Sequence, residues 1–129
     1  MFLLFLILLL GFKLTLKKED LANMYGICRK TLQKWVRYTR TEFSYAKYVK
    51  ARKLDILDFI SLIIDFGLPG QQKPLTKGEL VKESEMTYSE FEKNVALNYN
   101  EIGLTKDGYS KMDIFPPFVV INMKQVLAF

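Results

Sequence analysis

The chain has 129 residues, of which 50% are apolar and 26% charged, which is enough apolar side chain for a core and too much for a disordered or collagen-like chain. Nineteen Lys and Arg against 14 Asp and Glu leave a net charge of +5, which suits an acidic partner such as nucleic acid or anionic lipid. With no histidine and one cysteine, Cys28, the sequence lacks the parts of a His-dependent triad, of the usual His/Cys zinc site and of an intrachain disulfide, and a reducing compartment fits.

Met1 to Phe12 is a run of Leu, Ile and Phe closed by Lys13. It falls short of the roughly 18–20 residues that a bilayer span needs. It has the length of a signal-peptide apolar region, but no Lys or Arg precedes it and no small-x-small cleavage site follows before the basic segment begins. Three readings stay open for residues 1–12: an apolar extension outside the working fold, a membrane-inserting or secretory segment, or a core-packing element. Beyond it the charge is uneven. Residues 13–53 hold 12 Lys and Arg against Glu19, Asp20 and Glu42, a balance of +9, while residues 54–129 hold 7 Lys against 11 Asp and Glu, a balance of −4. A polyanion is therefore expected to meet the first half.

From Lys18 to Val36 the apolar side chains fall at Leu21, Ala22, Tyr25, Ile27, Leu32, Trp35 and Val36, a spacing that predicts two short helices around a tight turn. Small Ala22 lets the second helix cross closely. Gly26 supplies the left-handed conformation that ends the first helix, and Ile27 fills the angle between the two. Leu32 and Trp35 then share the inner face of the second helix. The string Leu21-Ala22-x-x-Tyr25-Gly26-Ile27-Cys28-Arg29-x-Thr31-Leu32-x-x-Trp35 resembles the helix-turn-helix segment of bacterial excisionase-like, MerR-like and transposase-associated DNA-binding domains, whose usual form is Leu-Ala-x-x-x-Gly-Val-Ser-x-x-Thr-Leu-x-x-Trp. The resemblance covers about twenty residues, and Cys28 stands where Ser is usual, which weakens the N-cap.

The resemblance implies a recognition helix laid in a major groove, with Cys28, Arg29, Lys30, Gln33, Lys34 and Arg37 facing outward. Arg29 and Gln33 have the forked ends that read guanine and adenine edges; Lys30, Lys34 and Arg37 suit phosphate contacts. Cys28 reads as a Ser-like surface residue, since no histidine exists to activate it. From Tyr38 to Lys53 aromatic and basic residues alternate, the pattern of a packed aromatic face beside a solvated basic one, or of a surface that stacks on bases. Asp55 to Phe66 predicts a largely buried helix with a polar stripe at Asp58, Ser61 and Asp65, stopped by Gly67 and Pro69.

The second half repeats the first at a shift of 59 residues: Leu21, Ile27, Leu32, Lys34 and Val36 fall on Leu80, Met86, Phe91, Lys93 and Val95. Leu54-Asp55-Ile56 is expected to correspond to Met112-Asp113-Ile114 at a shift of 58. Thr76-x-x-Glu79 and Thr87-x-x-Glu90 predict capping boxes for two helices, and Pro116-Pro117 the start of a last helix through Val120 and Met123 to Leu127. The second unit departs from the motif: Glu85 replaces Gly26, Asn94 replaces Trp35, and Ser89 and Glu92 face outward near Glu83. Carboxylates oppose phosphate, so this unit suits packing, dimerisation or partner contact, although Tyr88, Ser89 and Lys93 keep some capacity to touch DNA.

No Glu/Asp-x-Lys nuclease element and no glycine-rich phosphate loop occurs, so no catalytic residue, metal ligand or cofactor is assigned. The expectation is an all-α protein of two tandem helix-turn-helix units, each followed by a connector and a buried helix. The apolar extension is residues 1–12, the basic unit 13–70 and the acidic, degenerate unit 71–129, with the boundary in the turn-rich stretch Gly67 to Pro74. Its expected role is that of a cytoplasmic, sequence-specific binder of double-stranded DNA in transcription regulation or as a mobile-element accessory factor, holding a second copy or another protein through the second unit. The alternative is a non-catalytic protein-interaction or structural adaptor, membrane-associated through Met1 to Phe12.

Overall fold

Each half of the chain follows the same order of elements, with one further short helix among the described residues of the second, in the computed structural model, which describes residues 16–39 and 45–129. The three readings of Met1 to Phe12 lie outside the described residues. In the first half, β1 (Leu16–Lys17) runs directly into α1 (Lys18–Tyr25), followed by α2 (Arg29–Tyr38), α3 (Tyr45–Lys50), β2 (Lys53–Leu54) and α4 (Ile56–Phe66). In the second, β3 (Leu75–Thr76) leads to α5 (Lys77–Ser84), α6 (Tyr88–Ala96), α7 (Tyr99–Ile102), α8 (Lys106–Lys111), β4 (Ile114–Phe115) and α9 (Pro117–Val126). The predominantly all-α fold is as expected. Two antiparallel strand pairs were not anticipated: Leu16 lies opposite Leu54 and Leu75 opposite Phe115, so each unit ties the start of its helix pair to the strand before its last helix.

Those pairings correct the register of the repeat. A shift of 59 relates α1 to α5 and the starts of α2 and α6, but Lys53-Leu54 corresponds to Ile114-Phe115 at a shift of 61. The two added residues fall between α6 and α8, where α7 lies. Leu54 therefore does not match Met112, which closes α8, and Asp113 does not match the N-cap Asp55.

The helix ends follow from local chemistry. Gly26 takes φ 69° and ψ 32° after α1, and the Ile27 N–H returns to the Ala22 carbonyl at 3.1 Å, so the tight turn forms as its sequence predicts. Cys28 gives α2 no side-chain cap; its Sγ lies 3.3 Å from Thr31 Oγ1 instead. Thr76 and Glu79 form the expected reciprocal box, with the Glu79 N–H donating to Thr76 Oγ1 at 3.2 Å and the Thr76 N–H to Glu79 Oε1 at 3.0 Å. Thr87 Oγ1 accepts from the Glu90 N–H at the start of α6, and Asp55 from the Asp58 N–H at the start of α4.

Trp35 is fully buried and meets Tyr25 and Phe66 edge-on, at ring-centre distances of 5.3 and 5.4 Å. Its indole Nε1 donates to the Ile114 carbonyl of β4 at 2.8 Å, so the centre of the first unit is completed by the second. The Tyr25 hydroxyl donates to the Gly67 carbonyl, and Thr39 pairs with Leu104 across the units. The helices α2 and α8 approach so closely that a Cβ on Gly108 would lie 2.7 Å from the Tyr38 carbonyl oxygen. Leu21, Leu32 and Phe66 thus belong to the same buried cluster as Leu80, Phe91 and Phe115, and the turn-rich stretch at 67–74 divides the chain order without dividing the core.

The helix α4 is less enclosed than its composition predicts. Phe59, Leu62, Ile63 and Phe66 are buried and Asp58, Ser61 and Asp65 half-buried, but Leu57 and Ile64 are 74% and 69% exposed. Ile64 lines a groove with Leu68 and Phe118, which leaves an apolar strip in solvent. Among the described residues no helix is long and apolar enough to cross a membrane.

Candidate nucleic-acid interface

The helical period separates the two faces of α2. Leu32, Trp35 and Val36 enter the core, while Arg29, Lys30, Gln33 and Arg37 are exposed on the opposite side. These four lie together as their spacing predicts. Lys34 is half-buried at the edge of that face, its ammonium 3.2 Å from Asp113 Oδ2 of the second unit. The phosphate contact expected of Lys34 therefore competes with a carboxylate already beside it.

The short helix α3 positions the other side chains. The Tyr45 hydroxyl accepts from Gln33 Nε2 at 3.0 Å, and its ring receives the Arg37 guanidinium at 5.4 Å, with Tyr38 at 5.2 Å. Tyr48 is buried, and the Lys18 ammonium stands 4.4 Å over its ring. Of the aromatics alternating with basic residues, Tyr45 and Tyr48 are thus packing and orienting groups, in line with the packed-face reading. Val49 is half exposed beside them.

Two hollows flank the outer face of α2. One, of about 380 Å³, is lined by Lys18, Arg29, Lys30, Gln33, Tyr48 and Val49. The other, of about 280 Å³, lies toward Tyr38 and Tyr45 and receives Lys111 from α8. Lys18 and Lys111 were not among the expected site residues. Lys18 opens α1 and reads as an ordinary first-turn residue, and Lys111 is brought in only by the packing of α8 on α2. Burial, and then the Arg29 guanidinium nearby, hold the Lys18 ammonium below the usual lysine pKa. The exposed Cys28 thiol is also held below its usual range, chiefly by hydrogen bonds from Thr31.

The corresponding face of α6 has the opposite character. Glu92 occupies the position of Gln33 and lies 3.5 Å from Lys77 Nζ, while Glu83 is paired with Lys124 at 2.9 Å. The Glu92 carboxylate accepts a hydrogen bond from the Tyr88 hydroxyl, which raises the pKa of that tyrosine. Asn94, in the place of Trp35, is half-buried, with its amide 3.4 Å from Met86 Sδ. Among the described residues no group of three or more Cys, Asp or Glu converges to hold a metal ion. No known protein family, curated protein or solved structure matches the chain.

Proposed function

We propose that the protein is a small, non-catalytic, sequence-specific binder of double-stranded DNA, acting in the cytoplasm in transcription regulation or as a mobile-element accessory factor. The observation that carries this reading is the exposed face of α2, where Arg29, Lys30, Gln33 and Arg37 share one side of a helix whose other side is locked into the core. A rigid helix with a polar, cationic outer face suits insertion into a major groove, and Lys18 and Lys111 flank it where a backbone would pass. The mechanism is occupancy: the first unit binds, and the acidic second unit buttresses α2 through Ile114 and Asp113 while leaving its own surface for a second copy or another protein.

The test is binding of the full chain to genomic duplex fragments at several salt concentrations. Affinity should fall steeply with salt, and a footprint should appear on a subset of fragments. A chain that binds none of them favours the second reading, a protein-interaction adaptor. The observation behind that alternative is the exposed apolar groove at Ile64, Leu68 and Phe118.

A further inference from the structure

The internal repeat places a carboxylate in the second unit where the first has an open cationic hollow. Lys18 and Lys77 each begin the first helix of their unit, and each sets its ammonium over a tyrosine ring, Tyr48 at 4.4 Å and Tyr109 at 4.1 Å. Those tyrosines occupy the same place in α3 and α8. In the second unit Glu92 fills the space between these groups: it lies 3.5 Å from Lys77 and accepts from Tyr88, and its charge, after burial, helps raise the Tyr109 hydroxyl above its usual pKa. In the first unit Gln33 replaces Glu92 and bonds to Tyr45, while Arg29 replaces Tyr88. The first hollow thus has one carboxylate fewer and one guanidinium more, and among the described residues no carboxylate lines it.

We propose that the hollow of Lys18, Arg29 and Lys30 is a binding site for a single phosphate group, whose place is taken in the second unit by the Glu92 carboxylate. Burial first, and the Arg29 guanidinium second, hold the Lys18 ammonium below its usual pKa, so the two cations repel one another across the hollow. An oxyanion relieves that repulsion as Glu92 neutralises Lys77, and a guanidinium beside an ammonium offers it both a fork and a point charge. The phosphate belongs either to a nucleic-acid backbone, in which case the site rests on the DNA reading, or to a free phosphate or phosphomonoester, in which case it does not.

The test follows the amide and side-chain resonances of the full-length protein during titration with inorganic phosphate, and separately with a short duplex. Three variants are compared with the parent chain: Gln33→Glu, Lys18→Ala and Glu92→Gln. Phosphate should shift Lys18, Arg29 and Lys30 at saturable concentration. Gln33→Glu, which restores the second unit's carboxylate, and Lys18→Ala should each weaken phosphate binding at least about tenfold, a change of about 1.4 kcal/mol. Glu92→Gln should create a second, weaker site at Lys77. Melting curves establish that each variant is folded.

If the duplex binds and phosphate competes for the same resonances, the occupant is a backbone phosphate. If phosphate binds and neither the short duplex nor any genomic fragment does, the site stands and the DNA reading fails. If duplex binds but neither Gln33→Glu nor Lys18→Ala alters the Lys18 region, or if phosphate produces no saturable shift there, the phosphate site is wrong and the DNA reading is left to its own test.

Discussion

Gly26 and Glu85 stand at the same point of the two units and share a left-handed backbone, with φ 69° at the glycine and 59° at the glutamate. A side chain in that region brings Cβ against the following carbonyl, at a cost of roughly 1–2 kcal/mol. The second turn therefore keeps the geometry of the first without the residue that makes it easy. What holds it there is local: the Glu85 N–H bonds to the Lys82 carbonyl, and the Ser84 hydroxyl bridges the Val81 carbonyl and the Met86 N–H.

Glu85→Gly should raise stability by about 1 kcal/mol, and Gly26→Ala should lower it by a similar amount, since the backbone at each site is already left-handed. Urea titrations of the two variants, monitored by far-ultraviolet circular dichroism, check both signs. An unchanged midpoint for Glu85→Gly would mean that relief of strain is offset by the looser unfolded chain.

Trp35→Ala should cost on the order of 3–5 kcal/mol, as truncation of a buried aromatic does. Trp35→Phe keeps a ring against Tyr25 and Phe66 but leaves the Ile114 carbonyl without its donor, so a loss of about 1–3 kcal/mol is expected. Because that bond joins the units, both variants should lower a single melting transition of the whole chain. Two separated transitions would show the units to be energetically independent.

On the outer face of α2, Arg29→Ala should relax sequence preference by about 1–3 kcal/mol, whereas Arg37→Ala should weaken binding to all duplexes alike and lower the salt slope by about one. Lys34 is expected to differ from both, since Asp113 already neutralises it. Lys34→Ala should therefore have the smaller effect, and Asp113→Asn should tighten DNA binding by freeing the ammonium. Fluorescence anisotropy across a salt series reads all four variants.

Alkali should unfold the protein earlier than its lysines alone would dictate. Burial pushes the Tyr48 hydroxyl up to about 12 from 10.0, and raises Tyr25 and Tyr109 as well. The folded state then holds protons that the unfolded chain releases, so this contribution is intact below pH 10 and is lost as pH rises toward 12 and beyond. A melting temperature that stays constant from neutral pH to pH 10 and falls above it is the expected profile, with the tyrosinate absorbance of Tyr25, Tyr48 and Tyr109 appearing together with unfolding.

Much of the first unit was legible because its signals are local. A period of 3.6 fixes which side of α2 carries Trp35 and which carries Arg29, and Gly26 admits few other roles between two apolar-periodic segments. Thr76 and Glu79 announced their cap for the same reason. The two-residue strands were not legible, since Leu16-Lys17 and Lys53-Leu54 are too short to show an alternating period. Nor was the change of register near α7: the shift of 58 that sets Leu54 on Met112 assumes a residue fewer where the second unit has two more. The partners of Lys34, Lys111 and Trp35 come from the other unit, and such contacts are set by packing between helices distant in sequence.

The burial of Trp35 has an optical consequence, because it is the sole tryptophan of the chain. Its indole is shielded from water and hydrogen-bonded across the seam between the units, so its emission should be blue-shifted in the native state and move to longer wavelength when that seam opens. Arg29, Lys30 and Gln33 leave α2 on the opposite side, so a ligand settling there should leave the emission colour nearly unchanged. One intrinsic fluorophore thus separates occupancy of the outer face from opening of the interior during the same titration.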